Sequence, residues 1–205
     1  VVQEHKHPDH DHKHHDHDHA HPTPSSHTTF FLAVFLNTAF TFIQIVYAYL
    51  AHSTSLLADA GHNFSDVLAL LFSWLAFYLA TKKSTPYYSY GYKKSTVLAT
   101  LANAVFLVIA CTLILVDAIT HIIHPPTIAA LPVIIVALIG IGINGGSALL
   151  FLKKSKHDLN FNSAFLHLMY DAVISLSVVI AGVIVYFTHW NIIDPLLGII
   201  ITTFI

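Results

Sequence analysis

After a polar opening stretch, the chain settles into long apolar runs separated by short polar breaks. A helix that crosses the hydrocarbon core needs about 20 mainly apolar residues. Runs of that kind lie near 30–51, 56–81, 96–122, 128–152 and 159–187, and a sixth begins near 193. The breaks have local causes. His124-Pro125-Pro126 ends the third run, because proline lacks the amide donor and restricts the residue before it. Asp194-Pro195 reads as an N-cap followed by a first-turn proline. The pattern predicts an all-α fold, a polytopic membrane helix bundle with six transmembrane helices, the sixth truncated.

Composition sharpens this picture. The chain is 55% hydrophobic and 10% charged, against about 25% charged in a soluble domain. Seven of the 20 charged residues crowd into the opening VVQEHKHPDHDHKHHDHDHAHPTPSSH, which is not a signal peptide and has too few apolar residues to offset its folding entropy. Residues 1–28 are therefore expected to form a disordered, His-rich tail, and residues 29–205 the membrane domain. The lone Cys111 excludes an intramolecular disulfide framework and a Cys-rich metal site. Outside the tail the lysines occupy two loops: Lys82, Lys83, Lys93 and Lys94 in one, Lys153, Lys154 and Lys156 in the other. The positive-inside rule places both loops and the N-terminus in the cytoplasm. With no organelle signal, a bacterial inner membrane is the expected location. Gly140, Gly142, Gly145, Gly146, Ser147 and Ala148 read as a tight helix-packing surface on the fourth helix.

Ionisable groups in mid-membrane cost roughly 2.5–3.5 kcal/mol each on insertion scales and call for a reason. The second helix reads LLADAGHNFSDVLALL and the fifth NSAFLHLMYDAVISL, each with His-x-x-x-Asp: His62 with Asp66, His167 with Asp171. Residues four apart share a helix face. At 1.5 Å rise, His62 and Asp66 lie about 9 and 15 Å below the outer surface. His167 and Asp171 lie about 14 and 20 Å above the cytoplasmic one. Across about 30 Å of hydrocarbon these levels coincide, pairing His62 with Asp171 and Asp66 with His167. Two imidazoles and two carboxylates suit tetrahedral zinc, and also accept cobalt, nickel or copper. Calcium and magnesium prefer oxygen shells. Protons compete with metal for the same groups, which makes proton-coupled antiport a ready mechanism. Two alternatives stay open. Each residue could merely hydrogen-bond a neighbouring helix. Bis-histidine haem ligation could use His52, His62, His121 or His167, although it has no use for an aspartate four residues on.

These motifs resemble the cation diffusion facilitator family in its zinc-transporting branch. SLLADAGHNFSD is similar to that family's second helix, YSYGYKKSTVLATLANAVFLV with IIHPP to its third, and DPLLGIII to the start of its sixth. The resemblance implies a transmembrane cation efflux domain that exports zinc for protons, with cadmium or cobalt as further substrates. It also implies homodimerisation of the full-length protein, and it carries the transport-site role onto His62, Asp66, His167 and Asp171. A histidine at 62 resembles the zinc-selective pattern. The family's usual cytoplasmic ferredoxin-like domain does not follow here, so the chain is expected to be a fragment. The loop TKKSTPYYSYGYKK has no His, Asp or Glu for the loop metal site of some relatives.

No HExxH, nucleotide loop or nucleophile motif points to an enzyme, and neither a resident cofactor nor nucleic acid is implied. Asp59 shares the His62–Asp66 face and is expected either to line the release path, to support a histidine, or to serve the helix dipole. Asn63 is expected either to pack between helices or to support a site residue. Asn160 and Ser163 could form the cytoplasmic entry or cap their helix. Asp117 reads as an end charge, and His52, His121, His124 and His189 as interfacial residues. The tail is expected to bind zinc loosely and collect it for entry.

Overall fold

A computed structural model describes residues 24–80, 95–155 and 159–205. Six helices follow in order: α1 Pro24–Ala51, α2 Thr54–Ala80, α3 Ser95–Ile123, α4 Ala130–Ser155, α5 Leu159–Thr188 and α6 Ile193–Phe204. No strand occurs among the described residues. The expected spans reappear with shifted ends, most at α1. That helix opens at Pro24, inside the stretch assigned to the tail, where a proline at the first helical position costs no hydrogen bond. The tail before Pro24, the lysines between α2 and α3 and Lys156 lie outside the described residues.

The bundle is a membrane fold by its inside-out chemistry. Large apolar side chains such as Leu101, Val108, Leu113 and Phe187 face outward. The interior instead collects small residues, including Ala48, Ala58, Ala118, Ala137 and Ala181, and polar ones, including Thr41, Gln44, Asn63 and Ser175. Without a hydrophobic drive between helices, close packing and interhelical hydrogen bonds hold them together. Val97–Ile123, Ala130–Leu149 and Asn162–Thr188 are long and apolar enough to cross a membrane.

Three tight connections, α1–α2, α3–α4 and α5–α6, gather at one end. Ala129 N–H donates to Ala51 O at 3.2 Å, and Asn191 Nδ2 donates to Pro126 O at 2.9 Å. His52 and His189 take φ of 53° and 55° in two of these turns. These connections are the ones that carry no lysine.

Two expectations need correction. Asp194 does not cap its own helix: α6 begins after Ile192, whose side chain makes no capping bond. The Asp194 carboxylate instead caps α2, accepting from Ser53 Oγ at 2.7 Å, from Thr54 N at 2.6 Å, from Ser55 N at 3.3 Å and from Ser55 Oγ. The free amides of a helix N-terminus need such a partner, and here it comes from another helix. The glycine surface of α4 is also not one packing face. A Cβ at Gly140 would meet Phe40 at 3.1 Å and Ser175 at 3.2 Å, whereas Gly142, Gly145 and Gly146 have nothing within 4 Å. Successive helical positions are about 100° apart, so this glycine run spans several directions, one of them packed.

Candidate metal centre

The four residues singled out by the sequence come together between α2 and α5, in the predicted cross-pairing. His62 Nε2 lies 3.2 Å from Asp171 Oδ1, and His167 Nε2 lies 3.1 Å from Asp66 Oδ2. The two within-helix pairs are looser, at 3.8 Å for His62–Asp66 and 3.8 Å for His167–Asp171. Four edges thus close a ring in which each imidazole nitrogen meets a carboxylate from each helix. His62, Asp66 and Asp171 each offer a ligand atom, all within 4.8 Å of one another. The imidazoles of His62 and His167 meet edge to face at 5.9 Å, and Tyr170 stands 6.2 Å from His62.

Burial runs in one direction through this ring. Side-chain exposure is 3% at Asp171 and 12% at His62 but 28% at Asp66 and 48% at His167. Asp66 and His167 are the pair nearer the lysine-bearing end of their helices. Toward the tight-turn end, Ser53, Thr54 and Ser55 are all buried. The cluster is therefore open on one side and closed on the other.

Two hydrogen-bonded networks back it, and the sequence disclosed neither. Among the described residues no hydrogen bond or ion pair joins Asp59 to a site histidine. Asp59 Oδ2 accepts from Gln44 Nε2 at 2.6 Å and from Ser175 Oγ at 2.9 Å. Asn63 Nδ2 donates to Gln44 Oε1 at 3.0 Å, so Asn63 joins this network as well as packing. Gln44, in the apolar stretch TFIQIVY, was the available signal. At the tight-turn end, Thr54 Oγ1 donates to Asp117 Oδ2 at 2.7 Å and lies 2.8 Å from His121 Nδ1. Asp117 and His121 are thus fastened to α2 rather than simply placed at the interface. Ser163 is exposed, and Asn160's side chain lies outside the described residues.

Fold and cluster together define a class: polytopic helical membrane proteins that keep ionisable side chains in the bundle interior. The model of the cation efflux transmembrane domain matches residues 30–205, and the chain belongs to that family. It is 30% identical over 179 residues to the cadmium, cobalt and zinc/H(+)-K(+) antiporter of Bacillus velezensis, covering 86% of this chain and 57% of the relative. It is 32% identical over 182 residues to the zinc transporter ZitB of Pectobacterium atrosepticum, covering 88% and 57%. With ZitB of Escherichia coli the identity is 32% over 168 residues, covering 82% and 54%. The chain thus spans a little over half the length of the curated relatives it matches.

Proposed function

We propose that this chain is the membrane portion of a secondary transporter that exports zinc from the cytoplasm in exchange for protons, holding the ion on His62, Asp66, His167 and Asp171. The spacing of the ligand atoms carries this reading. A tetrahedral zinc with arms of about 2.0–2.1 Å has ligand–ligand edges of about 3.3 Å. One ligand atom each from His62, Asp66 and Asp171 already lies within 4.8 Å of the others, and His167 Nε2 stands 3.1 Å from Asp66 Oδ2. A movement of His167 toward the other three would complete a four-ligand shell. Two carboxylates neutralise its charge, and two neutral histidines complete the shell. The haem alternative gains nothing from this arrangement, since both histidine Nε2 atoms are already engaged by carboxylates.

Protons serve the same atoms when metal is absent, because an imidazole nitrogen that bridges to a carboxylate carries the hydrogen that zinc would displace. Loading from one side and protonation from the other then drive exchange across a midplane site. The open side of the ring faces the lysine-bearing end, which the positive-inside rule puts in the cytoplasm. In this reading the N-terminus is cytoplasmic, the His-rich tail gathers zinc for entry, and the full-length protein is a homodimer in a bacterial inner membrane. The printed substrates of the relatives favour zinc and keep cadmium and cobalt in view. Zinc uptake into proteoliposomes under a pH gradient tests the reading. Wild type should transport, and Asp66→Ala and Asp171→Ala should fall to background; unchanged flux in either variant would contradict it.

A further inference from the structure

Asp59 lies on α2 three residues before His62 and is fully buried. Gln44 and Ser175 both donate to its Oδ2, while its Oδ1 is buried without a partner. Asn63, one turn along the same helix face, is equally buried and donates to Gln44, and its own Oδ1 is also buried without a partner. Two acceptors on one face therefore lack a donor, and a buried polar group without a partner is costly. Among the described residues no ion pair reaches Asp59. The charged groups that act on it are His62 on α2 and Asp171 on α5. α1 faces it with neutral Gln44, and Ala130–Leu149 of α4 has no titratable side chain.

One proton resolves both deficits. Placed on Asp59 Oδ1, it makes that oxygen a donor and offers Asn63 Oδ1 a hydrogen. Asn63 already donates to Gln44 and Gln44 to Asp59, so a hydrogen given by Asp59 to Asn63 would close a circuit of three. We propose that Asp59 is a proton-binding site distinct from the four-residue cluster, and that it releases its proton when a divalent cation arrives there. The cation's charge favours the ionised carboxylate. The O–H bond at Oδ1 breaks, the carboxylate keeps the electron pair, and the proton passes to water. Asn37, Thr41 and Gln44 fall at i, i+4 and i+7 on α1, with the Asn37 Oδ1 atom and the whole of Thr41 and Gln44 buried. In this proposal the proton leaves along that polar strip of α1, apart from the α2–α5 cleft.

The inference uses the proposed cation site for its probe, zinc, and is tested apart from it. Calorimetric zinc titration of the purified chain in buffers of different ionisation enthalpy counts the protons released per ion bound. Asp59→Asn should release about one proton fewer per ion than wild type, with zinc still bound at the cluster. The histidines outside the bundle contribute equally to both. An unchanged proton count overturns the proposal, and so does loss of zinc from the cluster, which would make Asp59 a ligand. Infrared spectra taken without metal give a second, independent decision should Asp59→Asn fail to fold. Wild type should show a protonated-carboxyl band that Asn63→Leu moves to higher frequency, because the O–H loses its acceptor. No such band, or one that stays in place, overturns the proposal. Wild type that binds no zinc would defeat the cluster reading alone, and the Asn63→Leu shift would still decide this one.

Discussion

Asp171 and Asp194 are both 2% exposed carboxylates on helices of one bundle, yet their surroundings are opposites. Asp194 receives four donors, two hydroxyls and two backbone amides, all from the start of α2. Its hydrogen-bonding capacity is spent on holding α6 to α2. Asp171 meets the imidazoles of His62 and His167, groups that a proton or a metal ion can also claim. A buried carboxylate saturated by fixed donors is a fastening; one that faces exchangeable partners at ligand spacing is a candidate site. Burial alone does not separate the two, and the identity of the partners does.

Substitutions can break or sharpen this contrast. The largest effect is expected at the cluster, where Asp171→Ala should abolish zinc flux while thermal unfolding in detergent shows the bundle still folded. Asp194→Ala should do the reverse. Removing the shared cap strands the α2 amides and should cost about 2 kcal/mol or more of stability, read as a lower melting temperature, with zinc still bound by whatever folds. Gly198→Ala presses on the same fastening from the other side, since its Cβ would meet Thr54 Cγ2 at 2.8 Å and the Thr54 backbone at 3.1 Å. Overpacking of this kind costs about 1–3 kcal/mol, and a melting curve should register it. The smallest effect belongs to Gly142→Ala, which meets nothing within 4 Å. It should leave stability unchanged or raise it by up to about 1 kcal/mol through helix propensity. Destabilisation there would mean that the face is already occupied.

The sequence disclosed whatever depends on one helix and its depth. Apolar length set the helices, and the four-residue spacing with the opposite directions of α2 and α5 foretold His62 opposite Asp171 and His167 opposite Asp66. It could not disclose partners set by the rotation of each helix about its axis. Asp194 looks like a local cap beside Pro195, and its donors lie 139 to 141 positions away. Gln44 looks like an isolated polar residue on α1 until Asp59 and Asn63 are seen on its buried side. The α4 glycines read as one packing surface because a run of small residues does not say which of them has a neighbour. Asp59 is visible in the sequence as a mid-helix carboxylate, but its partners Gln44 and Ser175 come from two other helices that spacing on α2 cannot specify.

The most direct measurement is anomalous scattering at the zinc edge from crystals of the chain grown with zinc. The expected result is a peak between α2 and α5, about 2.0–2.2 Å from one atom each of His62, Asp66, His167 and Asp171. Zinc seen elsewhere on the chain with that position empty would contradict the four-residue site.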